Sequence, residues 1–336
     1  MKEAMFFRRL KGQEIRCDLC AHHCVIEDGQ AGICKVRANK GGTLYTLVYG
    51  KAVATHVDPI EKKPLFHFQP GSITFSLATV GCNFRCAHCQ NADISILPTH
   101  HGDIVGQDVM PEEIVAAAEK SGCQSIAYTY TEPTIFFEYA YDSARLASEK
   151  GIGNVFVTNG FMTEEALRTI QPHLDAANVD LKSFSDDHYR QVCGARLQPV
   201  LDSLQLMKNL GIWLEVTTLI IPTLNDSEKE LRQIAEFIFS LGPETPWHIS
   251  QFHPAYQMTH LPFTPVESLR RGREIGLEVG LRYVYTGNVP GDKGESTFCH
   301  HCGQRLIHRY GYSILENRLR KAHCDRCGAE IDGVGL

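Results

Sequence analysis

Short apolar runs and amphipathic stretches alternate along most of this chain. The runs at 72–80, 125–131, 154–158, 176–182, 212–221, 248–252 and 282–286 are rich in β-branched and aromatic residues and read as buried strands. Between them lie segments such as 111–120 and 226–241, where apolar residues recur at helical spacing. Strand and helix in alternation predict an α/β fold with a parallel sheet. Roughly six or seven strand–helix units fit, fewer than the eight of a closed barrel, so the expectation is a partial, open (β/α)6 barrel.

The pattern changes at both ends. Gly41-Gly42 and a proline-rich stretch at 59–70 punctuate the approach to the core, which sets residues 1–70 apart as an N-terminal cysteine-rich appendage. The barrel is expected over 71–297. From Phe298 paired-cysteine knuckles take over, predicting a zinc-ribbon-like tail at 298–336.

With 336 residues, 43% of them hydrophobic, the chain holds one barrel-sized domain plus small accessories. A formal charge of −6 counts against a nucleic-acid partner held mainly by charge. No stretch approaches the ~18 apolar residues that span a bilayer, and residues 1–11 show no signal-peptide core, so a cytoplasmic location is expected. In a reducing compartment thirteen cysteines point to metal rather than to disulfides. They fall into three sets, and only Cys123 and Cys193 stand alone, where a small buried hydrophobe is the plain reading.

The middle set carries the chemistry. Cys82, Cys86 and Cys89 form a C-x3-C-x2-C loop directly after the run at 72–80. A [4Fe-4S] cube normally takes four cysteines, so three leave one iron open to another ligand. The alternative, a structural zinc site, prefers four ligands in two short pairs. A loop after a strand also lies on the face where a parallel β/α barrel keeps its active site.

Other strand ends carry polar residues. Glu132 follows Tyr128-Thr129-Tyr130-Thr131, where a carboxylate can receive an ammonium and Thr131 can cap the next helix. Asn159-Gly160 allows close approach of backbone and amide to a ligand, although the dipeptide also marks ordinary turns. Asp180 and Lys182 fall two residues apart on one side of a strand. Of two late histidines, His253 stands at a strand end and His248 reads as a core residue.

The order Cys82-x3-Cys86-x2-Cys89, Thr131-Glu132-Pro133, Thr158-Asn159-Gly160, Asp180-Leu181-Lys182 and Phe252-His253 resembles the radical S-adenosylmethionine (SAM) superfamily, and within it the glycyl-radical activating enzymes typified by pyruvate formate-lyase activating enzyme. The runs 128–134 and 285–291, with cysteine clusters at both ends, look most like the AmmeMemoRadiSam system radical SAM enzymes. This resemblance spans nearly the whole chain. It implies a [4Fe-4S] cluster on Cys82, Cys86 and Cys89, with S-adenosylmethionine contacts from Glu132, Asn159, Asp180, Lys182 and His253, and with Phe84, His88 and Thr131 beside them. It further implies a reductant such as flavodoxin or ferredoxin, a protein or peptide substrate, and partner proteins of the AmmeMemoRadiSam system. Two positions depart from the activase pattern: Tyr130-Thr131 stands where Gly-Gly is usual, and His88 where an aromatic residue often precedes the last cysteine.

Cys299-x2-Cys302-Gly and Cys324-x2-Cys327-Gly are two knuckles at ribbon spacing, expected to close a zinc or rubredoxin-like iron site. Cys17, Cys20, Cys24 and Cys34 are less regularly spaced, and four thiolates there suit zinc and an auxiliary iron-sulfur cluster equally. The expected function is an enzyme that reductively cleaves S-adenosylmethionine to a 5'-deoxyadenosyl radical, which takes hydrogen from its substrate. The rivals are radical modification of tRNA or a small metabolite, and a non-catalytic multi-metal scaffold for partner proteins.

Overall fold

The computed structural model describes residues 1–98 and 104–336. Its centre is one eight-stranded sheet, formed by β1 (Ala54–Pro59), β2 (Ile73–Ala78), β3 (Ser125–Tyr128), β4 (Gly153–Thr158), β5 (Ala176–Asp180), β6 (Trp213–Ile220), β7 (Trp247–Gln251) and β8 (Val284–Gly287), lying side by side in chain order. Strands β2 to β8 are parallel, and β1 pairs antiparallel with β2. The helices α1 (Pro111–Lys120), α2 (Phe137–Glu149), α3 (Glu164–Ile170), α4 (Gln198–Asn209), α5 (Glu228–Leu241) and α6 (Val266–Val279) make the crossovers between successive parallel strands. Seven parallel strands are thus linked by six helical crossovers, and β1, ahead of residue 71, extends the sheet by one strand. No helix among the described residues is long and apolar enough to cross a membrane.

The two faces of the sheet bury different partners. Ile126 and Tyr128 share one apolar cluster with helical residues such as Val115 and Ala144, whereas Ala127, Val155 and Ala176 pack against Ile60, Leu65 and Phe68. This is the period-2 alternation of a strand: small inward side chains leave room for the segment 60–68 to run through the interior. Helix α5 buries Leu231, Ile234, Ala235, Ile238 and Leu241 at helical spacing, each large one contributing roughly 1.5–3 kcal/mol. Ser227 caps its first turn, with its side-chain oxygen accepting Glu230 N–H.

The interior segment is fixed by one buried carboxylate. Glu215 of β6 accepts Phe66 N–H (3.0 Å) and His67 N–H (2.8 Å), and its other contacts are Trp213 Nε1 (3.1 Å) and His248 Nε2 (2.7 Å). All its lone pairs are engaged, so a fully buried acid is tolerated there.

Small antiparallel sheets lie before and after this centre. Lys2–Glu3, Thr43–Thr46 and Arg37–Lys40 make one, Phe7–Arg9, Ile15–Cys17 and Val25–Ile26 another, and Thr297–Phe298, Arg305–Tyr310 and Ser313–Asn317 a third. The last lies between β8 and the interior segment. Arg309 donates to Phe66 O (2.9 Å) and to Thr297 Oγ1 (2.8 Å), and Asp332 accepts from Arg282 and Tyr283.

Candidate active site

Each parallel strand stops short of the polar residues that follow its apolar run. Strand β3 ends at Tyr128 and β5 at Asp180, so Glu132 and Lys182 are carried on loops at the C-terminal ends of the strands. There a cavity of about 650 Å3 opens. Cys82, Cys86 and Cys89 line it, together with Phe84 and His88 of the same loop, Thr131 and Glu132 after β3, Asn159 after β4, Asp180 and Lys182 at β5, and His253 after β7. That volume is within the usual range for cofactor sites.

The cysteine loop begins at Gly81, whose φ of +99° suits glycine. A Cβ there would lie 2.8 Å from Val36 Cγ1 and 3.1 Å from Cys34 O, so the loop starts hard against the N-terminal segment. Arg85 N–H bonds to Cys193 O (2.8 Å) and Ala87 N–H to Val192 O (2.9 Å), which holds the middle of the loop like a strand. Cys193 is the residue the sequence gives least reason to notice. It is buried, as a small hydrophobe would be, and it also places its thiol beside Cys86; that hydrogen bond draws the Cys86 thiol below its ordinary value. Burial, then the Glu132 carboxylate, push Cys82 well up.

Glu132 organises the rim. Its Oε1 accepts Thr134 N–H (3.0 Å), Thr134 O–H (2.6 Å) and Thr158 O–H (2.7 Å), and its Oε2 accepts Asn159 N–H (2.8 Å). Burial raises the carboxyl's pKa in spite of these donors. Oε2 retains a lone pair for a further donor. Asn159 in turn donates from Nδ2 to Asn83 Oδ1 at 2.8 Å, beside Cys82. Lys182 Nζ pairs with Asp180 at 2.9 Å. Burial acts to lower its pKa, but the charges of Asp180 and then Cys86 outweigh that and raise it, so a cation stands next to the thiols. His88 is buried, its pKa lowered to about 3 by desolvation and then by Lys182, and its Nδ1 has no partner among the described residues.

The replacement of Gly-Gly by Tyr130-Thr131 has a structural answer. Tyr130 keeps the left-handed backbone that glycine favours, at φ +63°. Its phenol donates to Asp58, its carbonyl accepts from Asn91 Nδ2 (2.8 Å), and Lys63 Nζ sits 4.4 Å from its ring centre. Thr131 O–H donates to Thr79 O at 2.7 Å instead of acting as a cap, and Glu132 takes the capping position. His248 is a satisfied core residue on Glu215 that also borders the cavity, whereas Glu61 and Phe66 reach the lining from the interior segment, Glu295 from the stretch after β8, and Gly311 and Tyr312 from the tail.

Residues 76–238 match the model of the radical SAM superfamily. The chain contains a radical SAM superfamily domain. The pyruvate formate-lyase-activating enzyme of Clostridium pasteurianum is 27% identical over 47% of this chain and 66% of its own length. A protein of Methanocaldococcus jannaschii, Uncharacterized protein MJ0808, is 47% identical over 99% of this chain and all of its own. Among solved structures, Streptococcus suis SuiB bound to S-adenosylmethionine superposes with a TM-score of 0.51 at 13% identity, over 68% of this chain and 53% of SuiB, a likeness of fold.

The remaining cysteines fall into two geometries. Cys299 and Cys327 have their sulfurs 3.6 Å apart, Cys302 and Cys324 3.7 Å, and all four lie within 4.8 Å of one another. The two knuckles repeat one backbone design, Gly303 and Gly328 having φ of +71° and +72° and each bonding back to its first cysteine. Cys17, Cys20, Cys24 and Cys34 instead surround a small cavity shared with Arg37 and Asn83.

Proposed function

We propose that this protein is a radical S-adenosylmethionine enzyme related to the glycyl-radical activases, in the AmmeMemoRadiSam line, with a protein or peptide as substrate. The observation that supports it most is the convergence on one cavity of three loop thiols with Glu132, Asn159, Asp180, Lys182 and His253. The residues present fit the cofactors: among the described residues the lining has three thiols and no fourth, a buried His88 nitrogen has no partner, and the Glu132 carboxylate has one lone pair to spare. When bound there, a [4Fe-4S] cluster and S-adenosylmethionine supply a 5'-deoxyadenosyl radical after one-electron reduction. The chain's own part is to bind and orient. Cys82, Cys86 and Cys89 would hold the cluster; Glu132 Oε2 would receive the methionine ammonium; Asp180 would take ribose hydroxyls; Lys182 would balance the negative charge beside Cys86; Phe84, His88, Asn159 and His253 would complete the walls.

The protein substrate rests on likeness to a relative that is, by name, an activator of pyruvate formate-lyase. A flavodoxin or ferredoxin as reductant and partners from the AmmeMemoRadiSam system belong to the same reading. All thirteen cysteines are free, in keeping with a cytoplasmic, reducing location. The division into an N-terminal appendage (1–70), a partial barrel (71–297) and a metal-binding tail (298–336) is part of the proposal. For the tail the proposal is one tetrahedral ion, Zn2+ or a rubredoxin-like iron, since an ion about 2.3 Å from each sulfur sets neighbouring sulfurs about 3.8 Å apart.

The test is anaerobic reconstitution with iron and sulfide followed by incubation with dithionite and S-adenosylmethionine. Production of 5'-deoxyadenosine that is lost in Cys86→Ala, with zinc content unchanged, is the expected result. Wild-type protein that holds zinc on the 82–89 loop and yields no nucleoside overturns it.

A further inference from the structure

We infer that Cys17, Cys20, Cys24 and Cys34 hold a second iron-sulfur cluster, seated directly behind the loop that begins at Cys82. Sequence spacing leaves zinc and cluster open, and the geometry separates them. Around zinc four thiolates close to within about 3.8 Å of their neighbours, as the sulfurs of the tail do. Among the described residues, the tail's are the only cysteines to gather in threes or more within 4.8 Å. The N-terminal four line a small cavity without closing to that spacing, as Cys82, Cys86 and Cys89 line theirs, and sulfurs set wider than around a single ion are what a core with irons and sulfides of its own requires.

The walls of that cavity point to the same occupant. Arg37 is 2% exposed and Asn83 1%, and both line it. Two nitrogens of the Arg37 guanidinium are engaged, Nη1 on Glu138 (2.8 and 2.9 Å) and Nη2 on Met5 O, whereas Nε has no partner. Asn83 accepts from Asn159 on Oδ1, and its Nδ2 is likewise without a partner among the described residues. Buried donors left unmatched are costly, roughly 1–3 kcal/mol each, and the inorganic sulfides of a cluster are acceptors where the apolar remainder of the wall, Leu19, Ile26 and Ile135, offers none.

The two cysteine sets share a partition. Asn83 is the neighbour of Cys82, its carbonyl contacts His22 Nε2 at 2.7 Å, and Gly81 abuts Cys34. Such a cluster stands where one electron from a ferredoxin- or flavodoxin-type donor can enter it and leave again toward the Cys82 loop, with no bond made or broken.

The experiment uses full-length chain reconstituted anaerobically with 57Fe and sulfide, read by metal content, Mössbauer and EPR spectroscopy. Wild-type protein is expected to hold about eight irons and about one zinc, from two four-iron clusters and one four-thiolate ion. The triple variant C82S/C86S/C89S should keep half of that iron, with an EPR signal that S-adenosylmethionine does not move. The variant C20S/C24S should also keep half, with a signal that S-adenosylmethionine does move. About four irons and two zincs in wild-type protein, or no iron in the triple variant, overturns the second cluster. Iron that is unaffected by the triple substitution overturns the S-adenosylmethionine reading instead, and leaves the N-terminal site standing.

Discussion

Glu132 Oε2 accepts the backbone N–H of Asn159 at 2.8 Å, so a single carboxylate ties the loop after β3 to the loop after β4. Glu132→Gln replaces one acceptor oxygen by an NH2 group facing donors. Its expected cost is about 1–3 kcal/mol of folding stability, measured by urea denaturation, because a buried donor loses its partner. Binding of S-adenosylmethionine, followed by calorimetry on reconstituted protein, should weaken by about tenfold or more, the range of a charge-assisted hydrogen bond. A variant with wild-type stability and wild-type affinity would remove Glu132 from the site.

Gly81→Ala tests the junction between the cysteine loop and the N-terminal segment. The added Cβ meets Val36 Cγ1 at 2.8 Å and requires a φ that alanine rarely takes. A loss of about 1–3 kcal/mol is expected from backbone strain, together with reduced iron uptake on reconstitution. Gly151, where a Cβ meets nothing within 4 Å although φ is +71°, serves as the comparison for the backbone effect alone.

The interior segment makes stability depend on acid. His67 Nδ1 lies 2.6 Å from Asp332 O, an acceptor, so Nδ1 carries the proton and Nε2 accepts from Tyr285 O–H. Burial lowers the His67 pKa from 6.5 to about 4. Above pH 6.5 the folded and unfolded chains are both neutral at this ring. As pH falls from 6.5 toward 4 only the unfolded chain takes up the proton, so stability is lost through that window, at up to about 1.4 kcal/mol per pH unit. Burial acts to raise the neighbouring Glu215 carboxyl, but the hydrogen bond and charge of His248 outweigh it and hold the pKa below its ordinary value. Stability from Glu215 is therefore also present at neutral pH and lost on the acid side. Urea titrations at half-unit pH steps should show this slope, and His67→Gln should flatten it.

Loss of the metal proposed for the tail should be felt in the centre of the molecule. Cys299 and Cys324 share an apolar cluster with Phe66, Tyr283 and Tyr285, and Gln69 N–H bonds to Val334 O at 2.7 Å. In C302S/C324S, hydrogen exchange at residues 66–69 should speed up by about tenfold or more, while β4 and β5 keep their protection, since they lie away from the tail. Equal protection in both proteins would show that the tail folds onto the sheet without its ion.

Much of this was legible in the chain because strands buried on both faces leave long apolar runs. The runs extend past the true strand ends, at Tyr128 and Asp180, because β-branched and aromatic residues such as Thr129, Tyr130 and Thr131 continue the composition of a strand into the cavity lining after hydrogen-bonded pairing has stopped. Strand β1 carries His56, Asp58 and Pro59 and so resembles a loop in composition, although it pairs with β2 over its whole length. The cysteine loop was readable from spacing alone. Cys193 was not, since one cysteine distant in sequence carries no pattern, and neither was Tyr130, whose left-handed backbone depends on Asp58, Lys63 and Asn91 arriving from elsewhere. The contact of Arg309 with Phe66 joins residues 243 positions apart, beyond the reach of periodicity.

That contact has an architectural consequence. The sheet runs from β1 to β8 without closing on itself, and the C-terminal hairpin stands in the opening like a door in its frame, with Gly311 and Tyr312 forming part of the chamber wall. The two knuckles distant in sequence, whose four sulfurs lie close enough to hold one metal ion, thereby act as the hinge pin that sets the dimensions of a chamber they do not line.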